Sequence, residues 1–260
     1  MFAKLLKHEW RATGGILGVL SLCALGAGAV GGLMLRLLVE AAENSRSNPL
    51  NAFSPSVLLF VGLGLVVYSV GGSILLYHRF YKTKFTDEGY LTFTLPVKSS
   101  EIFLSSLVNT LIWSLIIILV VSASVFIIAA IGFWEQLVEL DILEELEYLL
   151  EELNAEAILN LALGAVNSVC TIVLVMSCIT MGAVAAKKHK LLAAVGIFYG
   201  ASTVKNTMST IIMVTLMNDV ESFQGAITAS TVSNAAMGIL FAVGGYFLSV
   251  YLMNHKLNLP

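Results

Sequence analysis

The chain has 260 residues, of which 58% are apolar and only 12% charged, with a mean hydropathy of +0.89 and a formal net charge of −3. A soluble domain carries about 25% charged residues, so this deficit excludes an ordinary soluble domain and marks a polytopic membrane protein. The apolar runs are continuous rather than alternating, which excludes a membrane β-barrel and leaves an all-α fold whose backbone groups bond within each span.

The chain opens on an arm, residues 1–13. Phe2, Leu5, Leu6 and Trp10 share one helical face, with Lys4, Lys7, His8 and Arg11 on the others. That pattern predicts an interfacial helix, apolar face in the headgroup boundary and cations toward anionic lipid. The first span is predicted at Gly14–Leu38. Its apolar run is too long for a signal peptide and Ala27-Gly28-Ala29 is a weak cleavage site, so it reads as retained. The second span follows at Val57–Tyr77. Residues 78–98 then form a polar segment, basic at Arg79, Lys82 and Lys84, acidic at Asp87 and Glu88, and closed by Pro96. Gly89 gives the backbone a permissive point beside the acids. A helix showing Tyr90 and Leu91 next to carboxylates suits a groove on a partner protein.

The third span, Ile102–Trp134, is long enough to tilt or to protrude. After it comes an acidic segment, 135–157, without Lys or Arg. Leu143, Leu146, Leu150 and Leu153 give it an amphipathic helical period. It is expected to be an external cap on the bundle, or an anionic vestibule that attracts cationic peptides. Further spans are predicted at Ile158–Val184, Leu191–Met217 and Ile227–Met253. Lys205 lies inside the fifth, roughly 21 Å from its start at 1.5 Å per residue. Ser202, Asn206 and Ser209 flank it, and Ser233 and Asn234 add to a polar start of span six. These six residues are the candidate lining of a substrate path; the plainer reading has Lys205 snorkelling toward Asp219 or Glu221.

The basic residues sort by side. Lys4, Lys7 and Arg11, then Arg79, Lys82, Lys84 and Lys98, then Lys187, Lys188 and Lys190, then Lys256 all share one side if there are six spans. Arg36 and Arg46 fall on the other. The positive-inside rule then places both termini in the cytoplasm. The whole chain, 1–260, reads as one membrane domain with no internal repeat.

Enzymatic motifs are missing. His8, His78, His189 and His255 sit at span edges away from any nucleophile partner, and no zinc-protease, esterase or phosphate-loop motif occurs. Cys23, Cys170 and Cys178 fit no metal or disulfide spacing and read as packing residues. No catalytic residue, metal or nucleic-acid partner is expected.

Three segments carry a resemblance. The run Arg79-Phe80-Tyr81-Lys82…Phe85-Thr86-Asp87-Glu88-Gly89-Tyr90-Leu91…Thr94-Leu95-Pro96-Val97 resembles the first cytoplasmic loop of small six-span permeases of the ABC-2 type. These belong to ATP-binding-cassette transporters of Gram-positive bacteria, especially clostridial ones. The opening Phe2-Ala3-Lys4-Leu5-Leu6-Lys7-His8-Glu9-Trp10 and the tail Tyr251–Leu259 are similar to that family's start and close. The resemblance implies a subunit of an exporter in the bacterial plasma membrane. It implies a separate cytoplasmic ATPase that carries the ATP and Mg, and a second permease chain, identical or not. It also implies that the loop is a coupling helix seated on the ATPase through Phe85, Thr86, Asp87, Glu88, Gly89, Tyr90, Leu91 and Leu95, and that the arm is a connecting helix. The acidic segment departs from the family core, so no role carries over to it. Two other classes fit the residues alone: a stand-alone secondary transporter using Lys205, and a membrane scaffold or immunity protein binding a cationic peptide through its acidic helix.

Overall fold

In hydrocarbon no water is available to the backbone, so long apolar runs satisfy their N–H and C=O groups as helix. The computed structural model describes residues 2–44, 49–86, 88–89, 94, 97–134, 155–186, 188–217 and 223–255. Six long helices account for most of these residues, with no strand among them. They are α1 (Phe2–Asn44), α2 (Pro49–Phe85), α3 (Ser99–Gly132), α4 (Ala155–Ala185), α5 (Lys190–Met217) and α6 (Phe223–His255). Each predicted span falls on one of them. The acidic segment 135–157 lies outside the described residues except for its last three, which open α4.

One expectation changes. The arm is not a helix of its own: α1 runs unbroken for 43 residues. The change from amphipathic to apolar at Thr13-Gly14 alters which surface faces what, but nothing there interrupts the i→i−4 ladder. Thr13 Oγ1 donates back to Glu9 O at 2.9 Å, inside the helix. At 1.5 Å per residue α1 is about 64 Å long, twice the roughly 30 Å hydrocarbon core, so one or both of its ends extend beyond the hydrocarbon.

Among the described residues five helices, α1, α2, α3, α4 and α6, are long and apolar enough to cross a membrane, and α5 is less apolar. The reason is local. Thr203, Lys205, Asn206, Thr207, Ser209 and Thr210 fill two turns in its middle.

Contacts group the chain into two units. In the first, Lys7–Leu76 with Ile112–Glu151, Leu17 and Ala24 of α1, Leu65, Tyr68 and Leu76 of α2, and Trp113 and Ile117 of α3 form the buried core. Without a hydrophobic drive between helices in lipid, close approach depends on small residues. Gly28 and Gly32 of α1 supply it. A Cβ on Gly28 would lie 3.1 Å from the Ser124 backbone, and one on Gly32 would lie 2.8 Å from Ile131 Cβ. Tyr68 and Ser21 join α2 to α1 through their hydroxyls at 2.7 Å. Trp10 stacks on Trp113 with ring centroids 4.9 Å apart.

The second unit is Met1–Leu6, Tyr77–Leu111 and Glu152–Pro260. Here α4, α5 and α6 pack on one another. On α6, Ala235, Gly238, Ala242, Gly245 and Ser249 are all buried at spacings of 3, 4, 3 and 4. That repeat is a seam of small side chains, the pattern that lets membrane helices pack closely. Cys170 and Ser177 of α4 fill it: a Cβ on Gly238 would lie 3.3 Å from Cys170 Cβ, and one on Gly245 would lie 2.8 Å from Ser177 Oγ. Between α4 and α5 the approach is closer still, at Gly182 and Ala194.

Candidate functional site

Two places in the second unit carry polar chemistry. The first is the root of the 78–98 segment. The chain leaves α2 at Phe85, whose side chain is only 1% exposed. Phe85 meets the edge of Phe80 at 5.6 Å, Phe80 meets Phe103 of α3 at 5.9 Å, and Phe103 meets Tyr246 of α6 at 5.6 Å. These near-perpendicular ring pairs match the aromatic quadrupole, edge against face. Ile102, Leu107, Met176, Ile179, Ala183, Ala194 and Met253 close the cluster. Lys190 at the start of α5 donates its Nζ to the Phe85 carbonyl at 3.4 Å, capping the last turn of α2 with a cation. The basic ends of α2 and α5 therefore share one end of this unit.

Beyond Phe85 the chain turns at once. Thr86 Oγ1 donates to Lys82 O at 2.6 Å, and the Gly89 N–H donates to Thr86 O at 2.8 Å. Glu88 reaches back to Lys82, carboxylate to ammonium at 3.2 Å, with about half of each side chain in contact with solvent (52% and 59%). Of the predicted coupling residues, Phe85 and Gly89 are buried, Thr86 is half-buried and Glu88 is exposed. Asp87, Tyr90, Leu91 and Leu95 lie outside the described residues. Phe85 is thus the anchor of the segment rather than part of its surface, a role its position in the sequence does not reveal.

The second place is the middle of α5. Ser202, Lys205 and Ser209 sit at i, i+3 and i+7, one face of the helix. That face turns into the bundle. Lys205 is 9% exposed, and Ser209 Oγ lies 3.1 Å from Ser233 Oγ of α6. Ser233 in turn donates to Ser230 O at 2.9 Å, so the shared proton between the two hydroxyls comes from Ser209. On α4, Cys170 is buried against the small-residue seam of α6. One turn earlier on α4, Asn167 Oδ1 is buried with no hydrogen-bond partner. Of the six path candidates the structure thus brings Lys205, Ser209 and Ser233 into the interior, with Ser202 half-buried on the same face. Asn206 is exposed, and Asn234 donates its Nδ2 to Ser230 O on its own helix. Cys170 and Asn167 are additions that the sequence alone did not suggest. Both sit at the α4–α6 seam beside Gly238.

No described carboxylate forms an ion pair with Lys205. Asp219 and Glu221, its expected partners if it snorkels, lie outside the described residues. A lysine at mid-bilayer costs about 2.5–3.5 kcal/mol on insertion scales, and Lys205 is buried on the face of α5 that carries Ser209. Among the described residues no group of His, Cys, Asp and Glu is arranged to hold a metal.

No protein-family model, no curated protein and no solved structure matches this chain.

Proposed function

We propose that this chain is the permease subunit of an ATP-binding-cassette exporter of the ABC-2 type. In this reading six helices cross the plasma membrane of a bacterium, and both termini and the 78–98 segment face the cytoplasm. A separate ATPase binds and hydrolyses ATP, and a second permease chain completes the path. The observation that carries the reading is the root of the 78–98 segment. A docking element must pass force to the spans, and this one is fixed through Phe85, Phe80, Phe103 and Tyr246 to three different helices. A displacement of the segment by the ATPase would therefore move α2, α3 and α6 together, because packed interiors transmit strain. Ser202, Lys205, Asn206, Ser209, Ser233 and Asn234 would line the path, which opens as the helices move.

The test is reconstitution with a candidate ATPase. Glu88→Lys reverses an exposed charge, and Tyr90→Ala removes an aromatic anchor of the kind that contributes about 2 kcal/mol, near thirtyfold in Kd, at an interface hot spot. Both variants should insert and fold yet lose co-purification and coupled ATP hydrolysis. Wild-type values for both would remove this segment as the docking element.

The buried Lys205 favours one second reading, a secondary transporter that works alone. Transport by the purified chain in vesicles without nucleotide or partner would establish it in place of the first.

A further inference from the structure

We infer that Lys205 is a binding residue for an oxyanion, a carboxylate or phosphate, held at the buried face of α5. The inference rests on the reading that this face lines a path, and it names the chemistry of what passes. Lys205 is a donor-only cation with three N–H bonds to place. It is 9% exposed and forms no ion pair with any described residue. Its hydroxyl neighbours have committed their protons: Ser209 to Ser233, and Ser233 to Ser230 O. The site therefore presents unspent positive charge and donor capacity from Lys205 itself. A cationic or donor-rich ligand would add repulsion there. A carboxylate or phosphate, acceptor-only when ionised, completes the inventory through charge-assisted hydrogen bonds.

Depth selects the carrier. Lys205 lies 15 residues from Lys190 and 12 from Met217, about 22 Å and 18 Å along α5. The flanks of α5 beside Lys205 show exposed Val204 and Met208. An oxyanion attached to an aliphatic chain can reach this depth and leave its tail on that apolar surface. A free anion would have to shed its whole hydration shell.

Binding is measured on the full chain alone, in nanodiscs of phosphatidylcholine. The probes are laurate, dodecyl phosphate, methyl laurate and inorganic phosphate. Laurate and dodecyl phosphate should bind saturably and methyl laurate should not. Lys205→Met should weaken laurate binding by about ten- to a hundredfold, as loss of a hydrogen bond to a charged group implies. Lys205→Arg should largely retain it, and Lys188→Gln, an exposed cation at the helix end, should leave it unchanged. Competition by inorganic phosphate would assign the oxyanion to a water-borne source; its absence would assign it to a lipid-like one. Equal laurate affinity in wild type and Lys205→Met, with a matching unfolding midpoint, would overturn the inference, as would methyl laurate binding as tightly as laurate. Because no ATPase is present, failure of the docking reading leaves this result standing, and the reverse also holds.

Discussion

Gly182 offers a sharp test of how α4 and α5 meet. A Cβ built on it would lie 2.5 Å from Ala194 N, 2.6 Å from Ala194 Cα and 2.6 Å from Ala194 Cβ. Comfortable contact between carbons is about 3.5–4.0 Å, so a single methyl intrudes by roughly 1 Å. The obstacle is mainly backbone, which cannot rotate away as a side-chain tip can. The helices must separate at their closest point, where Ala183 and Ala194 also join the buried core. Overpacking of this kind costs about 1–3 kcal/mol, and here the upper half of that range is expected. Gly196, on the same helix as Ala194, has nothing within 4 Å of its Cβ position. Alanine there should stabilise by about 0.4–1 kcal/mol, because glycine loses more backbone freedom on folding. The same substitution thus has opposite signs 14 residues apart. Both variants, purified in one detergent, are compared by reversible denaturation in mixed micelles. Gly182→Ala unfolding at the wild-type midpoint or above would refute the α4–α5 packing described here.

Three further outcomes follow from particular contacts. Ser21 donates to Leu17 O at 2.7 Å, so the bond between Ser21 and Tyr68 takes its proton from the tyrosine. Ser21→Ala should then cost about 1–3 kcal/mol by orphaning a buried O–H, more than Tyr68→Phe, which leaves no donor behind; the two measured together in a double-mutant cycle check the difference. Gly32→Val, which drives a side chain into Ile131 and the Ile127 carbonyl, should lower the unfolding midpoint more than Gly26→Val, whose position is open. Glu88→Gln should leave stability within about 1 kcal/mol of wild type, because the exposed pair with Lys82 contributes little and is screened by salt. Any functional loss in that variant would then belong to a partner surface, not to folding.

Composition alone determined the solvent of this chain and hence its secondary structure. A run such as Ile112–Ile131 has no polar escape from the bilayer, and in that medium helix is the one local arrangement that satisfies every amide. The apolar stretches, the polar break at 78–98 and the lone cation at Lys205 were all legible for this reason. Element ends were less so: Thr13-Gly14 marks a change of surface, yet the backbone ladder of α1 continues through it. What only the tertiary structure decided is which faces meet. Gly28 and Gly26 are alike in sequence, but one lies under Ser124 and the other faces open space. Phe80, Phe103 and Tyr246 are separated by up to 166 positions and join a single aromatic chain. Ser233 comes to Ser209 only because α6 packs on α5, and Cys170 comes to Gly238 only because small residues let α4 and α6 close. In lipid the apolar side chains are equally content against a neighbour or a tail. Pairing therefore depends on shape and on a few buried polar groups, which are properties of two surfaces at once and are not written in either segment alone.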